Sequence, residues 1–138
     1  MVVKTAVTQI LTGDGTLMAL LTGGVYAVAQ IAPGMDAPTP FDEVGRVKPS
    51  ALVRNEAAAS TGPLGSFELG TVLVFFYDYA GYATIDTAVE RAKTLLHGRY
   101  LGDGAYELRH ADDVLDQYDD AILAYMHRSR YQVTRYRG

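Results

Sequence analysis

The run from Phe67 to Tyr79 limits what this chain can become more than any other stretch. Phe67, Leu69, Thr71, Leu73, Phe75, Tyr77 and Tyr79 alternate with Val72, Val74 and Phe76, a β-branched and aromatic series that packs best on a pleated surface. One face of this strand is bulky throughout and the other is apolar only in its middle, so its centre is expected to be covered on both sides. Gly81 ends the run. Thr84 stands where an N-cap would satisfy the first free amides, and Asp86 lies in the first turn, where the helix dipole favours an anion. Ile85, Ala88, Val89, Ala92, Leu95 and Leu96 then recur at helical spacing opposite Asp86, Glu90, Arg91 and Lys93. Burying that stripe stabilises by on the order of 10 kcal/mol, less than the roughly 15–30 kcal/mol that ordering such a helix costs. The helix therefore needs a sheet, and the strand just before it is the nearest partner.

A chain of 138 residues fits one domain spanning residues 1–138, large enough for a single two-layer core. The absence of cysteine excludes a disulfide framework and thiolate metal sites together. Ten tyrosines and no tryptophan give many rings that can pack and still hydrogen-bond at the tip, which suits strands and interfaces alike. Val2, Val3 and Lys4 after Met1 do not read as a secretory signal, and no apolar stretch reaches membrane-spanning length, so a soluble protein without membrane contact is expected. A net charge of −4 argues against a general nucleic-acid binder, although the charge is unevenly spread.

Before the central strand, Val3, Ala6, Val7, Ile10 and Leu11 have helical spacing, and a second short helix around Leu17 to Leu21 would be capped by Asp14 or Thr16. Val25 to Ala29 reads as a small strand, and Pro33 to Pro40 as a loop. Phe41 to Glu56 reads as two short strands or as an edge strand with a bulge, because Pro49 cannot donate to a ladder. The small residues from Ala57 to Gly65 read as a long loop, either mobile or made for a partner, with Ala58, Ser60, Thr61 and Leu64 facing that partner. After the helix, Ala105 to Arg109 forms a short strand, an acidic loop follows, and His127 to Arg137 alternates bulky and charged residues as a last strand. The predicted fold class is α+β, a mostly antiparallel sheet of about four to five strands with helices packed on one face.

No catalytic constellation is present in the sequence. His97, His110 and His127 lack metal-ligand spacing, and there is neither a nucleophile elbow nor a phosphate loop. No cofactor is implied. Asp112, Asp113, Asp116, Asp119 and Asp120 could hold a hard cation, with Asp112, Asp116 and Asp120 sharing one face if the segment were helical. Like charges at that spacing repel, which favours an irregular, solvated segment with no metal. Arg128, Arg130, Arg135 and Arg137 interleave with Tyr131 and Tyr136, a mixture used on nucleic acid. The simpler reading is an electrostatic match between subunits, with those aspartates on one side and Arg128, Arg130 and Arg135 on the other.

The order of these features resembles the tail terminator, or tail completion, proteins of long-tailed bacteriophages with non-contractile tails. The resemblance rests on the N-terminal helix ending near Leu20-Leu21, Gly24-Val25-Tyr26, and Pro40-Phe41 opening a segment that ends at Leu52-Val53-Arg54. It continues through the strand ending Val74-Phe75-Phe76-Tyr77, the passage Gly81-Tyr82-Ala83 into Ile85-Asp86-Thr87-Ala88-Val89, Leu95-Leu96, and Asp119-Asp120 before a closing strand from His127-Arg128 to Tyr136-Arg137. The Ala-rich stretch and Pro49 depart from that pattern. The resemblance implies a structural virion protein without catalysis or cofactor, assembled in the host cytoplasm as a ring of about six copies. Such a ring caps the head-proximal end of the tail tube, ends polymerisation of the tail tube protein, and meets a head-completion or connector protein, with DNA passing through the lumen without specific binding. A neck protein, or a small metal-binding enzyme built on the aspartates, is the alternative.

Overall fold

The computed structural model describes residues 3–28, 31, 39–61, 67–102 and 106–136, with side chains for all of these except 57–61, 67–69 and 136. In chain order the elements are α1 (Val3–Thr12), α2 (Gly15–Leu20), β1 (Gly24–Tyr26), β2 (Ser50–Thr61), β3 (Phe67–Asp78), α3 (Ala83–Leu96), β4 (Tyr100–Leu101), β5 (Tyr106–Asp119) and β6 (Ala124–Tyr136). The strands make one 6-stranded sheet in the order β1-β2-β3-β6-β5-β4, curled into a half-barrel. The class is α+β, as the sequence predicts, but the sheet has more strands than expected and is mixed. Its one parallel pair is β1 with β2, and every other pairing is antiparallel.

β3 is the strand read from the sequence, and its two faces carry the two halves of the core. Val72, Val74 and Phe76 point toward the helices, where they pack with Val7 and Leu11 of α1, Leu17 of α2, and Ile85, Ala88, Val89, Ala92 and Leu96 of α3. The opposite face is covered at one end only, where Tyr77 and Leu52 pack with Ile31, Val47, Ile122 and Ala124. Coverage of both faces, expected at the centre of the strand, is thus found at one end of it; on the helix side Val74 and Phe76 have no exposure, so a polar side chain there would be buried without water.

The capping of α2 falls to Asp14, whose carboxylate accepts the Leu17 amide at 2.9 Å. For α3 the expectation of Thr84 as cap is corrected: the helix starts at Ala83, and Tyr82 occupies the cap position without a side-chain hydrogen bond. The parallel start of the sheet depends on Gly23, whose amide donates to the Pro49 carbonyl at 2.7 Å. A Cβ there would sit 2.9 Å from that same oxygen, so only glycine lets the two segments close. Pro49 thus precedes β2 instead of interrupting it.

Two segments read as loops are strands. β2 continues through Ala57–Thr61 in register with β3, after a bulge between Asn55 and Ala57, so Ala58, Ser60 and Thr61 lie in a ladder; Leu64 falls outside the described residues. Small residues with little strand preference extend here because β3 offers a complete row of partners, a tertiary gain that overrides local propensity. β5 likewise runs on from Arg109 through the aspartates to Asp119. Two irregularities, between His110 and Asp112 and between Val114 and Gln117, absorb the misfit, with Asp116 in the left-handed region at φ 57. Repulsion among the carboxylates does not break the strand because alternation and the bulges send them to different sides, several toward cations.

Candidate functional site

β6 carries the candidate arginines, and the pleat sorts its side chains. On the helix side lie His127, Ser129, Tyr131 and Val133, all buried. On the open side lie Arg128 and Arg130, in register with Phe75 and Leu73 of β3. Arg54 of β2, Leu73, Arg130 and Asp112 of β5 form one continuous row across the sheet. Asp112 accepts from Arg128 Nη2 at 3.0 Å and also pairs with Arg130. Asp112 of the acidic segment and Arg128 and Arg130 of the basic one are therefore joined here within one chain. Arg54 lies over the Phe75 ring at 6.0 Å, and Arg135 over Tyr106 at 5.4 Å. Burial, helped by the Asp119 charge and opposed by Arg54, pushes the Tyr77 phenol beside this face up to about 12.

Asp113 points the other way. It meets His110 Nε2 at 2.8 Å, the buried Ser129 hydroxyl at 2.7 Å and Lys93 of α3 at 3.3 Å. Burial alone would raise this carboxyl, but those hydrogen bonds and the charges of His110 and Lys93 outweigh it and hold it below the usual carboxylate range. Asp113 thereby ties β5 and β6 to the helix layer.

Further along, His127 is 0% exposed and bonded at both ring nitrogens. The Asp116 amide donates to Nδ1 at 3.1 Å, so the ring proton sits on Nε2, which donates to Asp86 Oδ1 at 2.5 Å. Tyr82 stacks on this imidazole with centroids 5.2 Å apart, Tyr125 meets Tyr82 edge-on, and Tyr118 meets Tyr125 in turn. Burial and the nearby Asp116 charge raise the Tyr82 phenol, whose hydroxyl donates to the Gln117 carbonyl. The bulge that re-aims Asp116 is thus clamped to the first turn of α3. Asp119 accepts the Ala121 amide in the turn after β5, and Asp120 is exposed beside it.

Asp112, Asp116 and Asp120 do not converge. Among the described residues the grouping with the reach of a metal site is Asp86, Asp116 and His127, whose ligand atoms lie within 4.8 Å of one another. Its chemistry does not fit a cation. A metal needs a ring lone pair, yet the Nδ1 lone pair is spent on an amide and Nε2 carries the proton. The cluster is a histidine lock between helix and bulge. Sequence reading passed over it because His127 lacks ligand spacing, although its place in the alternating row His127, Ser129, Tyr131, Val133 marks it as inward-facing. His97 caps α3 and accepts the His110 amide on Nδ1 at 3.0 Å.

Two further features lie elsewhere. Asp14, besides capping α2, receives Arg91 Nε at 2.9 Å and Nη2 at 2.7 Å, which joins α2 to α3. An open groove of about 540 Å³ lies between α1 and the chain after α3, lined in part by Gln9, Ile10, Leu95, Arg99 and Tyr100. Asp14 lies at its rim, but none of the candidate interface residues does, and no helix among the described residues is long and apolar enough to cross a membrane.

No protein-family model matches this sequence, and no curated protein does. Among solved structures, the chain is similar to a chain in the virion of a native gene transfer agent particle, with a TM-score of 0.68 at 18% identity. The match covers 97% of this chain and 94% of that one. At that identity the likeness establishes a shared fold.

Proposed function

We propose that this chain is a structural virion protein of a phage-like particle, and that it forms the ring, of about six copies, at the head-proximal end of the tail tube. The observation that carries the reading is the end-to-end match, 97% of this chain against 94% of a chain in a gene transfer agent virion, which is the extent expected of a whole building block and not of a borrowed motif. The order of sequence features supports the finer placement at the end of the tail. The ring ends polymerisation of the tail tube protein, presents its other side to a head-completion or connector protein, and lets DNA pass without specific contacts. The work is done by surfaces, so no reacting group or cofactor is required.

The test adds the purified chain to polymerising tail tube protein encoded beside it and measures tube length by electron microscopy. Capping at one end, with tubes that stop growing, is the expected result. Tubes that lengthen at the same rate with and without the chain would remove the terminator role, and a chain decorating the tube along its length would make it a tube component instead.

A further inference from the structure

The ring reading leaves open which surfaces meet, and two patches of opposite charge answer to each other. The first is the outer strip of β5 and the turn after it. β4 pairs only with Tyr106 and Glu107, so beyond the first residues this side of β5 has no neighbouring strand among the described residues. The strip exposes Leu115 at 49%, Tyr118 at 46% and Leu123 at 68%. From Val114 to Met126 it carries Asp116, Asp119 and Asp120 and no lysine, arginine or histidine. Exposed apolar side chains rimmed by charge of one sign mark an interaction surface.

The second patch is the open face of the sheet beside β2. Arg54 is exposed and pairs with no carboxylate among the described residues, while Arg128 and Arg130 share the single carboxylate of Asp112. Arg128 Nε is buried without a hydrogen-bond partner among the described residues. The three cations against one carboxylate leave a net charge of +2 here. Arg54 and Asp112 stand at opposite ends of a row that crosses β3 and β6. At about 4.8 Å per strand they are roughly 14 Å apart, and the strip lies beyond Asp112.

Resting on the ring reading, we infer that the acidic and apolar strip of one copy docks on the arginine face of the next, a heterologous contact between Asp116 and Asp120 on one side and Arg54 on the other. Two different patches on opposite sides of one sheet repeat by rotation and close into a ring, whereas a self-complementary patch would stop at a dimer. The partner is a second copy of this chain.

The test is charge exchange read by light scattering over a concentration series, at low and high salt. The wild-type chain self-associates, more weakly in high salt. The strip variant Asp116→Lys with Asp120→Lys and the face variant Arg54→Asp each lose at least about tenfold in self-association. Mixed in equal amounts they reassemble, because each then offers the other a contact of opposite charge. Asp116 has φ 57, where lysine is strained, so Asp116→Asn with Asp120→Asn is measured as well and is expected to lose assembly without losing thermal stability. A wild-type chain that stays monomeric, single variants that assemble normally, or a mixture no better than its components would overturn the contact. The tube-capping experiment reads the ring's role separately, so a ring that caps tubes yet ignores these charges would sink the contact alone.

Discussion

Tyr131→Phe is expected to stabilise this protein, although it deletes a polar group from the core. Tyr131 is 1% exposed, its ring meets His110 edge-on at 5.4 Å, and its hydroxyl has no hydrogen-bond partner among the described residues. Burial, with the charges of Asp113 and Glu90, holds the phenol far above its ordinary value, so the group is a neutral, desolvated O–H. Burying such a hydroxyl without a partner costs about 1–3 kcal/mol. Phenylalanine keeps the ring and its packing, so most of that penalty should return as stability. For 138 residues, an unfolding entropy of ~2.1 cal/mol/K per residue makes roughly 0.3 kcal/mol/K in total, and the gain becomes a rise of about 3–10 °C in Tm. Calorimetry reads that shift, and urea titration checks that the midpoint moves at constant m. Tyr131→Ala is the calibration, expected to lose about 3–5 kcal/mol as other core aromatics do. If Tyr131→Phe melts lower than wild type, the reasoning fails, because the hydroxyl must then hold a bond worth more than its desolvation.

Two other predictions concern charge. Asp14 is drawn down to about 2 by hydrogen bonds from Arg91 and the Leu17 amide, below its unfolded value of about 3.9. Its contribution is therefore complete above that unfolded value and fades as pH falls through 2, so the Tm gap between wild type and Asp14→Asn should narrow from pH 5 to pH 2; a gap constant with pH would refute it. Excess Ca²⁺, Mg²⁺ or Zn²⁺ should leave the Tm unchanged, because the His127 ring offers no free lone pair toward Asp86 and Asp116. A bound ion at a hundred times its Kd would stabilise by about 2.7 kcal/mol and would be plain in the melt.

Legibility from sequence followed the range of the forces involved. β3, α3 and the Asp14 cap were readable because alternation, helical spacing and capping are local. The length of β5 was not, since whether a run of aspartates extends depends on Arg128, Arg130, Ser129 and Lys93, which no local rule places beside it. β2 was cut short for the same reason: its Ala-rich half is strand only because β3 lies alongside. Of the candidate residues, the sequence found the charges but not the pairing, which needs β6 to lie between β3 and β5. His127 was missed because a buried histidine bonded at both nitrogens has no motif.

The position of β6 also sets an order on how the protein is made. It is the last of these six strands in chain order, yet it lies between β3 and β5. While the ribosome is still at work, β2 and β3 can pair as a hairpin, and α3 can cover one face, but β3 keeps an open edge and β5 has no neighbour to define its bulges. The sheet is complete only with β6 between β3 and β5, and the ion pairs of Asp112, the Asp113 tie and the His127 lock all need that strand. Until then the strip and the arginine face do not coexist in finished form, so the proposed contact between copies has to wait for folding.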